Sequence, residues 1–260
     1  MKENVWKLSI LSLVGVSILM LLPLLYAEFK HINNVITDPQ KYIRILGSFS
    51  ILVAIKNTVI FILITIPITV VLGFIIAYLV SEMKHKRIVG IAIITPIFLP
   101  SLVIGIFFKF LYSSIFYEFV NQDIYLMFIF IWSTIGYVFL FYYVSLLRRE
   151  RSIEEAAALD GASEARIFFS VIVPTTHKTT VLSLVFTLYN AVRVFRYSYS
   201  LWGEFPDISV YMIQNSLHNN LKELKIDYLM TAANIFMIFI VMCLLLIFSY
   251  EKYSKRNEGI

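Results

Sequence analysis

The stretch RRERSIEEAAALDGASEARIFFSVIVP, residues 148–174, decides how this chain is read. It is charged and alanine-rich, carries a single glycine, and sits between long apolar runs. Of the 260 residues, 59% are hydrophobic and 15% are charged, and the mean hydropathy is +0.81. A soluble domain carries about 45–50% apolar and about 25% charged residues, so lipid must solvate much of this surface. A spanning helix needs roughly 20 apolar residues, because the hydrocarbon layer is about 30 Å thick and each residue rises about 1.5 Å. Runs of that kind lie at about residues 8–26, 59–80, 88–108, 124–147, 181–199 and 229–250. Lys2 and Lys7 precede the first, as in a signal peptide, but its apolar run is longer than about 7–15 residues and no small-residue cleavage site follows. It is expected to remain as a first span. The fold class expected is all-α: a polytopic membrane protein with six transmembrane helices, forming one domain over residues 1–260.

Basic residues give the orientation, since Lys and Arg concentrate in cytoplasmic connections. They cluster before span one, between spans two and three (Lys84, Lys86, Arg87), after span four (Arg148, Arg149, Arg151, Arg166) and after span six (Lys252, Lys255, Arg256). With six spans these segments share one side. The connection YSSIFYEFVNQD, residues 112–123, has two acids and no Lys or Arg, and belongs outside. Both termini and residues 152–174 are therefore expected in the cytoplasm. This distribution accounts for the formal charge of +5 without nucleic acid. Cys243 is the lone cysteine, the four histidines show no metal-ligand spacing, and no G-x-x-x-x-G-K-S/T phosphate loop occurs. No cofactor is expected in this chain. Residues 27–50 and 202–227 are expected as outer connections, the first with a short helix after Pro39. Pro67, Pro96 and Pro100 are expected to kink their spans.

Within residues 148–174, Ser152 reads as an N-cap, with Glu155 three positions later completing a capping box. Glu154 and Glu155 lie in the first turn, where acids suit the helix dipole. Gly161 suits the left-handed residue that ends a helix, Ser163 can cap a second short helix, and Pro174 is expected to close it. Ala156 and Ala157 leave a small face that a protein can approach closely. Composition alone also fits an amphipathic helix lying on the membrane surface.

The spacing narrows the choice. Glu155-Ala156-Ala157, three residues, Gly161, nine residues and Val171-Ile172-Val173-Pro174 resemble the EAA loop of permease subunits in binding-protein-dependent ABC importers. In that family the pattern is E-A-A, three residues, G, nine residues, I-x-L-P; here valines stand at Val171 and Val173. KNTVIFILITIPITVVLGFIIAYLV from Lys56 is similar to the Asn-Thr opening of the family's second span, and ITPIFLPSLVIG from Ile94 to its paired-proline third span. EAAALDGAS resembles the carbohydrate-type form. AVRVFRYSYSLWGEFPD resembles the stretch that usually continues into Gly-Gly-Pro, but here it reads Gly203-Glu204-Phe205-Pro206, which leaves the outer-loop conformation and the substrate class open.

The resemblance, over roughly residues 50–250, implies the type I importer permease fold in a bacterial cytoplasmic membrane. It implies that Glu154, Glu155, Ala156, Ala157, Asp160 and Gly161 form a coupling helix that docks on a separate ATPase subunit, which binds ATP-Mg. A second, related permease, an extracytoplasmic solute-binding protein and membrane lipid are the other partners implied. The solute implied is a sugar or oligosaccharide. Tyr189, Asn190 and Arg193 are candidates for the substrate pathway. Arg193 and Arg196 otherwise read as snorkelling to the outer interface, and Asn190 as an interhelical hydrogen-bonding group. Lys56, Asn57 and Lys109 read as interfacial. The alternatives are an ion-coupled secondary carrier, which would place acids well inside spans, and a membrane-embedded enzyme, which would need clustered catalytic side chains. The sequence offers neither signature.

Overall fold

A computed structural model describes residues 2–257, and among them there is no strand. Helices α1 (Lys2–Thr37), α3 (Phe49–Glu82), α6 (Gln122–Leu147) and α13 (Ile226–Asn257) contain the four segments long and apolar enough to cross a bilayer unaided. Two more crossings are broken. The first joins α4 (Lys86–Ile94) to α5 (Ser101–Leu111) through a bend of 97°. The second runs through α8 (Glu164–Ile167), α9 (Val173–Thr175), α10 (His177–Ala191) and α11 (Phe195–Trp202), with a bend of 63°. Short helices α2 (Pro39–Leu46), α7 (Arg151–Leu159) and α12 (Ile213–Lys222) lie in the connections. The six expected crossings are thus four continuous helices and two bent ones.

The paired prolines do more than kink the third run. Pro96 sits in a tight 3₁₀ turn over Thr95–Phe98, and Leu99 is driven to extended backbone by the proline that follows it. Pro100, also extended, then opens α5. The kink expected over 88–108 is therefore a break between two helices near a right angle. By contrast, α3 runs on through Pro67.

The core is the pair α3 and α6, the most extensive helix contact in the molecule. Phe61, Val70 and Ala77 of α3 and Phe130, Val138 and Tyr142 of α6 are buried there. Gly73 sets the distance: a Cβ at this position would lie 2.5 Å from Val138 Cγ1. Close packing of this kind, rather than an oil-water difference, joins helices in lipid. Thr58, Thr65 and Thr69 each donate to the carbonyl four residues back, at 2.6–2.7 Å, so their hydroxyls are satisfied without water. The apolar segment of α1 is not covered by the rest of the chain.

Both expected outer loops are more structured than composition suggests. Residues 27–37 continue α1, because nothing before Asp38 breaks the helix. Asp38 then accepts from the Lys41 amide at 3.1 Å and starts α2 at Pro39, as expected. Residues 208–216 fold inward, with Val210, Met212, Ile213, Asn215 and Ser216 buried. Polar side chains of α3 and of the segment itself satisfy its backbone there.

Candidate coupling loop and translocation cavity

α7 begins one residue before the expected cap. Glu150 occupies the N-cap with extended backbone and makes no side-chain bond, so the capping box at Ser152 and Glu155 is not formed. An ion-pair cluster organises the start instead. Arg149 Nε donates to Glu154 Oε1 at 2.6 Å, and its Nη2 to Glu82 Oε1 at 2.6 Å. Arg151 Nη2 reaches the same Glu82 oxygen at 3.3 Å. The Arg149 guanidinium also lies 5.7 Å from the centre of the Tyr78 ring. Its side chain is only 9% exposed. Burial alone would lower its proton affinity, but the bonds to Glu82 and Glu154 hold it above the ordinary arginine value. Glu154 is therefore engaged within the chain.

The elbow follows the reading at Gly161. This residue has φ +81, and the Ala162 and Gly161 amides donate to the Ala157 and Ala158 carbonyls, both at 3.0 Å. These two bonds close a helix on a left-handed residue. Ser163 Oγ accepts from the Arg166 amide at 3.4 Å and caps α8. The second helical stretch ends at Thr175, one residue past Pro174, where the 63° bend begins. A π-helical turn over Phe168–Ile172 leads into α9, and Pro174 sits in the first turn of α9, where a missing N–H is tolerated. Phe168 packs edge-on against Tyr78 at 5.0 Å. Both arms of the elbow thus rest on the last turns of α3. None of the residues of α7 is buried, and Leu159 is 90% exposed. Glu155, Ala156 and Asp160 are exposed as well, whereas Ala157 is half-buried against the chain, so the expected alanine face is split.

At the centre lies a cavity of about 300 Å³ between the break in the third crossing, α6, and α10–α11. Tyr189, Asn190, Arg193 and Arg196 share its wall with Ser133 and Tyr137. Ser133 and Tyr137 fall halfway along α6, so the cavity is at mid-depth. Arg193 Nη1 donates to the Tyr189 hydroxyl at 2.7 Å. Asn190 Nδ2 donates to the Phe186 carbonyl at 3.0 Å, and its Oδ1 faces Arg196 Nη2 at 3.5 Å. Ser133 and Tyr137 escape sequence reading because isolated polar residues in apolar helices announce no direction.

Asn57 is not simply interfacial. Its Nδ2 donates to the Ile208 and Tyr211 carbonyls at 2.7 and 3.0 Å. Thr58 Oγ1 accepts from the Ile213 amide at 3.0 Å. This Asn-Thr pair stitches the inward-folded outer segment to α3, and the resemblance at these two residues was the available signal. Glu204, beside Gly203, pairs with Lys222, which holds its carboxyl below the usual carboxylate range.

Residues 69–257 match the family described as binding-protein-dependent transport system inner membrane component. The chain belongs to this family. A stretch of 80 residues is 36% identical to the probable ABC transporter permease protein YurN of Bacillus subtilis (strain 168), covering 31% of this chain and 27% of that protein. Over 72 residues it is 38% identical to the sn-glycerol-3-phosphate transport system permease protein UgpA of Escherichia coli O157:H7, covering 26% and 24%. The chain thus spans about a quarter of the length of the curated relatives it matches. A crystal structure of a bacterial ABC transporter involved in import of the acidic polysaccharide alginate superposes with a TM-score of 0.72 at 16% identity, over 97% of this chain and 95% of that one. The family member described here is a multi-pass membrane protein with the type I importer permease fold.

Proposed function

We propose that this chain is the permease subunit of an ABC importer and forms part of the pathway for a sugar or oligosaccharide. A separate ATPase binds and hydrolyses ATP-Mg and receives the elbow at Gly161. A related permease completes the pathway as a heterodimer, and an extracytoplasmic binding protein delivers the solute. The termini and the elbow face the cytoplasm of a bacterial cell.

The observation that carries this reading is the α7–α8 elbow. Its conformation is fixed by an ion-pair cluster and a left-handed glycine, yet Leu159 and the 50%-exposed Ile153 face away from the chain. An apolar residue held open on a helix whose charged start is tied to α3 suits a protein surface that covers it. Glu155, Ala156, Asp160 and Gly161 surround that residue, while Glu154 and Ala157 hold the helix to the chain. ATPase closure then moves the elbow, and α3 moves with it through Arg149 and Phe168, as packed elements move between discrete states. The relatives' names, with a glycerol phosphate and a polysaccharide among them, support a carbohydrate-like solute.

The test is a Leu159→Cys variant in a Cys243→Ser background, co-expressed with candidate ATPase and permease partners. A cysteine-directed crosslink to the ATPase that changes with ATP is expected. Failure of any ATPase to co-purify or crosslink refutes the assignment.

A further inference from the structure

The mid-depth cavity carries two guanidinium groups and no carboxylate. Arg193 and Arg196 line it, no Asp or Glu does, and neither arginine has an acidic partner among the described residues. A charge held at membrane depth is costly and persists where it meets a partner or a pathway. Here the protein supplies only weak compensation. Arg193 lies 5.3 Å from the Tyr189 ring centre, and Arg196 lies 4.9 Å from that of Tyr197. Each guanidinium has five N–H donors. Arg193 is given one protein acceptor, the Tyr189 hydroxyl, and Arg196 is given one long contact to Asn190. Arg196 Nε is buried with no hydrogen-bond partner in the described structure.

Two neighbouring polar groups are already turned toward the arginines. Asn190 spends its amide on Phe186 and turns its oxygen to Arg196. Tyr189 accepts from Arg193, which leaves its own proton to donate. Ser133 spends its proton on the Phe130 carbonyl and presents only its oxygen, so the excess of donors in this wall comes from the two guanidinium groups. A neutral sugar offers both in similar number and would leave the two positive charges uncompensated. An oxyanion supplies acceptors only, and a guanidinium matches it with two parallel bonds.

We propose that the solute passing this cavity carries an anionic group, a carboxylate, sulfonate or phosphate ester, and that Arg193 and Arg196 bind that group at mid-membrane. This rests on the permease reading above and narrows its substrate class. Arg196 is the inner ligand because it is the less exposed of the two and has the unpartnered Nε. Arg193, tethered to Tyr189 on the same wall, is the outer one.

The test uses the full importer complex in detergent and proteoliposomes, without its binding protein, so that the cavity alone selects. Probes are a hexuronic-acid trisaccharide, a neutral hexose trisaccharide, glycerol 3-phosphate, glycerol and inorganic phosphate. At least one acidic solute should bind roughly 10–100-fold tighter than its neutral counterpart, the range expected for a charged hydrogen bond. Arg196→Gln should remove that preference while the ligand-free melting temperature stays level or rises, since a poorly paired charge is lost. Arg196→Lys should keep part of it. The inference is overturned if neutral and acidic probes bind alike, if no acidic probe binds, if only inorganic phosphate binds, or if Arg193→Gln and Arg196→Gln both leave the preference intact. ATPase co-purification is scored in the same samples. Its loss removes the permease reading; its presence without an acid preference removes only the anion site.

Discussion

Arg149 is the residue whose removal should uncouple the elbow from the membrane helices. It is 9% exposed and bonds Glu82 and Glu154, which are 42% and 20% exposed, at 2.6 Å each. In Arg149→Met the packing volume is largely kept, but Glu154 loses its cation and Glu82 keeps only the exposed Arg151. Breaking a buried pair by removing one partner costs about 3–5 kcal/mol, and the exposure of Glu82 puts this case near 3 kcal/mol. That corresponds to roughly a 100-fold shift toward a detached α7, since about 1.4 kcal/mol is tenfold. In proteoliposomes containing the complete importer, basal ATPase activity should persist while solute-stimulated ATPase and uptake fall together. Amide exchange of residues 151–160 should accelerate by a similar factor. The triple variant Glu82→Gln, Arg149→Met, Glu154→Gln should recover much of the lost protection, because the carboxylates that lost Arg149 are gone and the Arg151 left behind is solvent-exposed. Wild-type coupled uptake and unchanged exchange in Arg149→Met would refute the reasoning. So would a triple variant that is worse than the single one.

Three further outcomes are expected. At Gly161 a Cβ would meet nothing within 4 Å, so substitution there is limited by φ +81 and not by space; coupled uptake should fall in the order Gly, Asn, Ala, Val, with about 1–2 kcal/mol lost from Ala onward, and an order set by side-chain size alone would contradict this. Asn57→Ala leaves the exposed Ile208 carbonyl and the part-buried Tyr211 carbonyl without their donor, so protease sensitivity and amide exchange over residues 208–216 should rise, consistent with about 0.5–1.5 kcal/mol for an ordinary hydrogen bond; unchanged protection would remove the stitching role. The Glu204 carboxyl is lowered by Lys222 and the Asp207 carboxyl by the Ser209 amide, so both are depressed acids. Their contribution is full above the ordinary carboxylate range near pH 4 and is lost as pH falls through the lower folded values. Amide protection over residues 204–216, taken relative to the intrinsic exchange rate at each pH, should therefore be flat from about pH 7 to 5 and fall only below about 4; loosening near pH 6 would assign it to other groups.

Much of this architecture is legible in the chain, and what is hidden is hidden for physical reasons. Six apolar runs mark six crossings because length against bilayer thickness is a one-dimensional property. Gly161 and Ser163 are legible because a helix stop and a cap are local. The 97° turn at Pro96 and Pro100 is not, since a proline announces a break but its angle is set by what packs on either side. The Arg149 cluster joins residues 67 apart in sequence, and no local pattern separates such an arginine from an interfacial one. Residues 202–227 read as a solvated loop because polarity looks the same whether water or protein satisfies it. In the structure Asn215 Oδ1 accepts from the Met212 amide, and Thr58 accepts from Ile213. The arginines of α10–α11 read equally well as interface anchors, because hydropathy does not distinguish a lumen from a membrane edge.

One consequence concerns α3. It is a single helix of 34 residues, gripped at Glu82 by the elbow, at Asn57 by the outer segment, and pressed at Gly73 against Val138. At about 1.5 Å per residue, Glu82 lies roughly 14 Å from Gly73 on one side and Asn57 roughly 24 Å on the other. The helix is then a lever of unequal arms with its fulcrum at a glycine. A displacement at the cytoplasmic end should emerge at the outer end reversed and about 1.8 times larger. Paired distance labels on the two ends, followed through a turnover, measure that ratio directly. Equal or parallel displacements would mean that α3 slides or bends instead of pivoting.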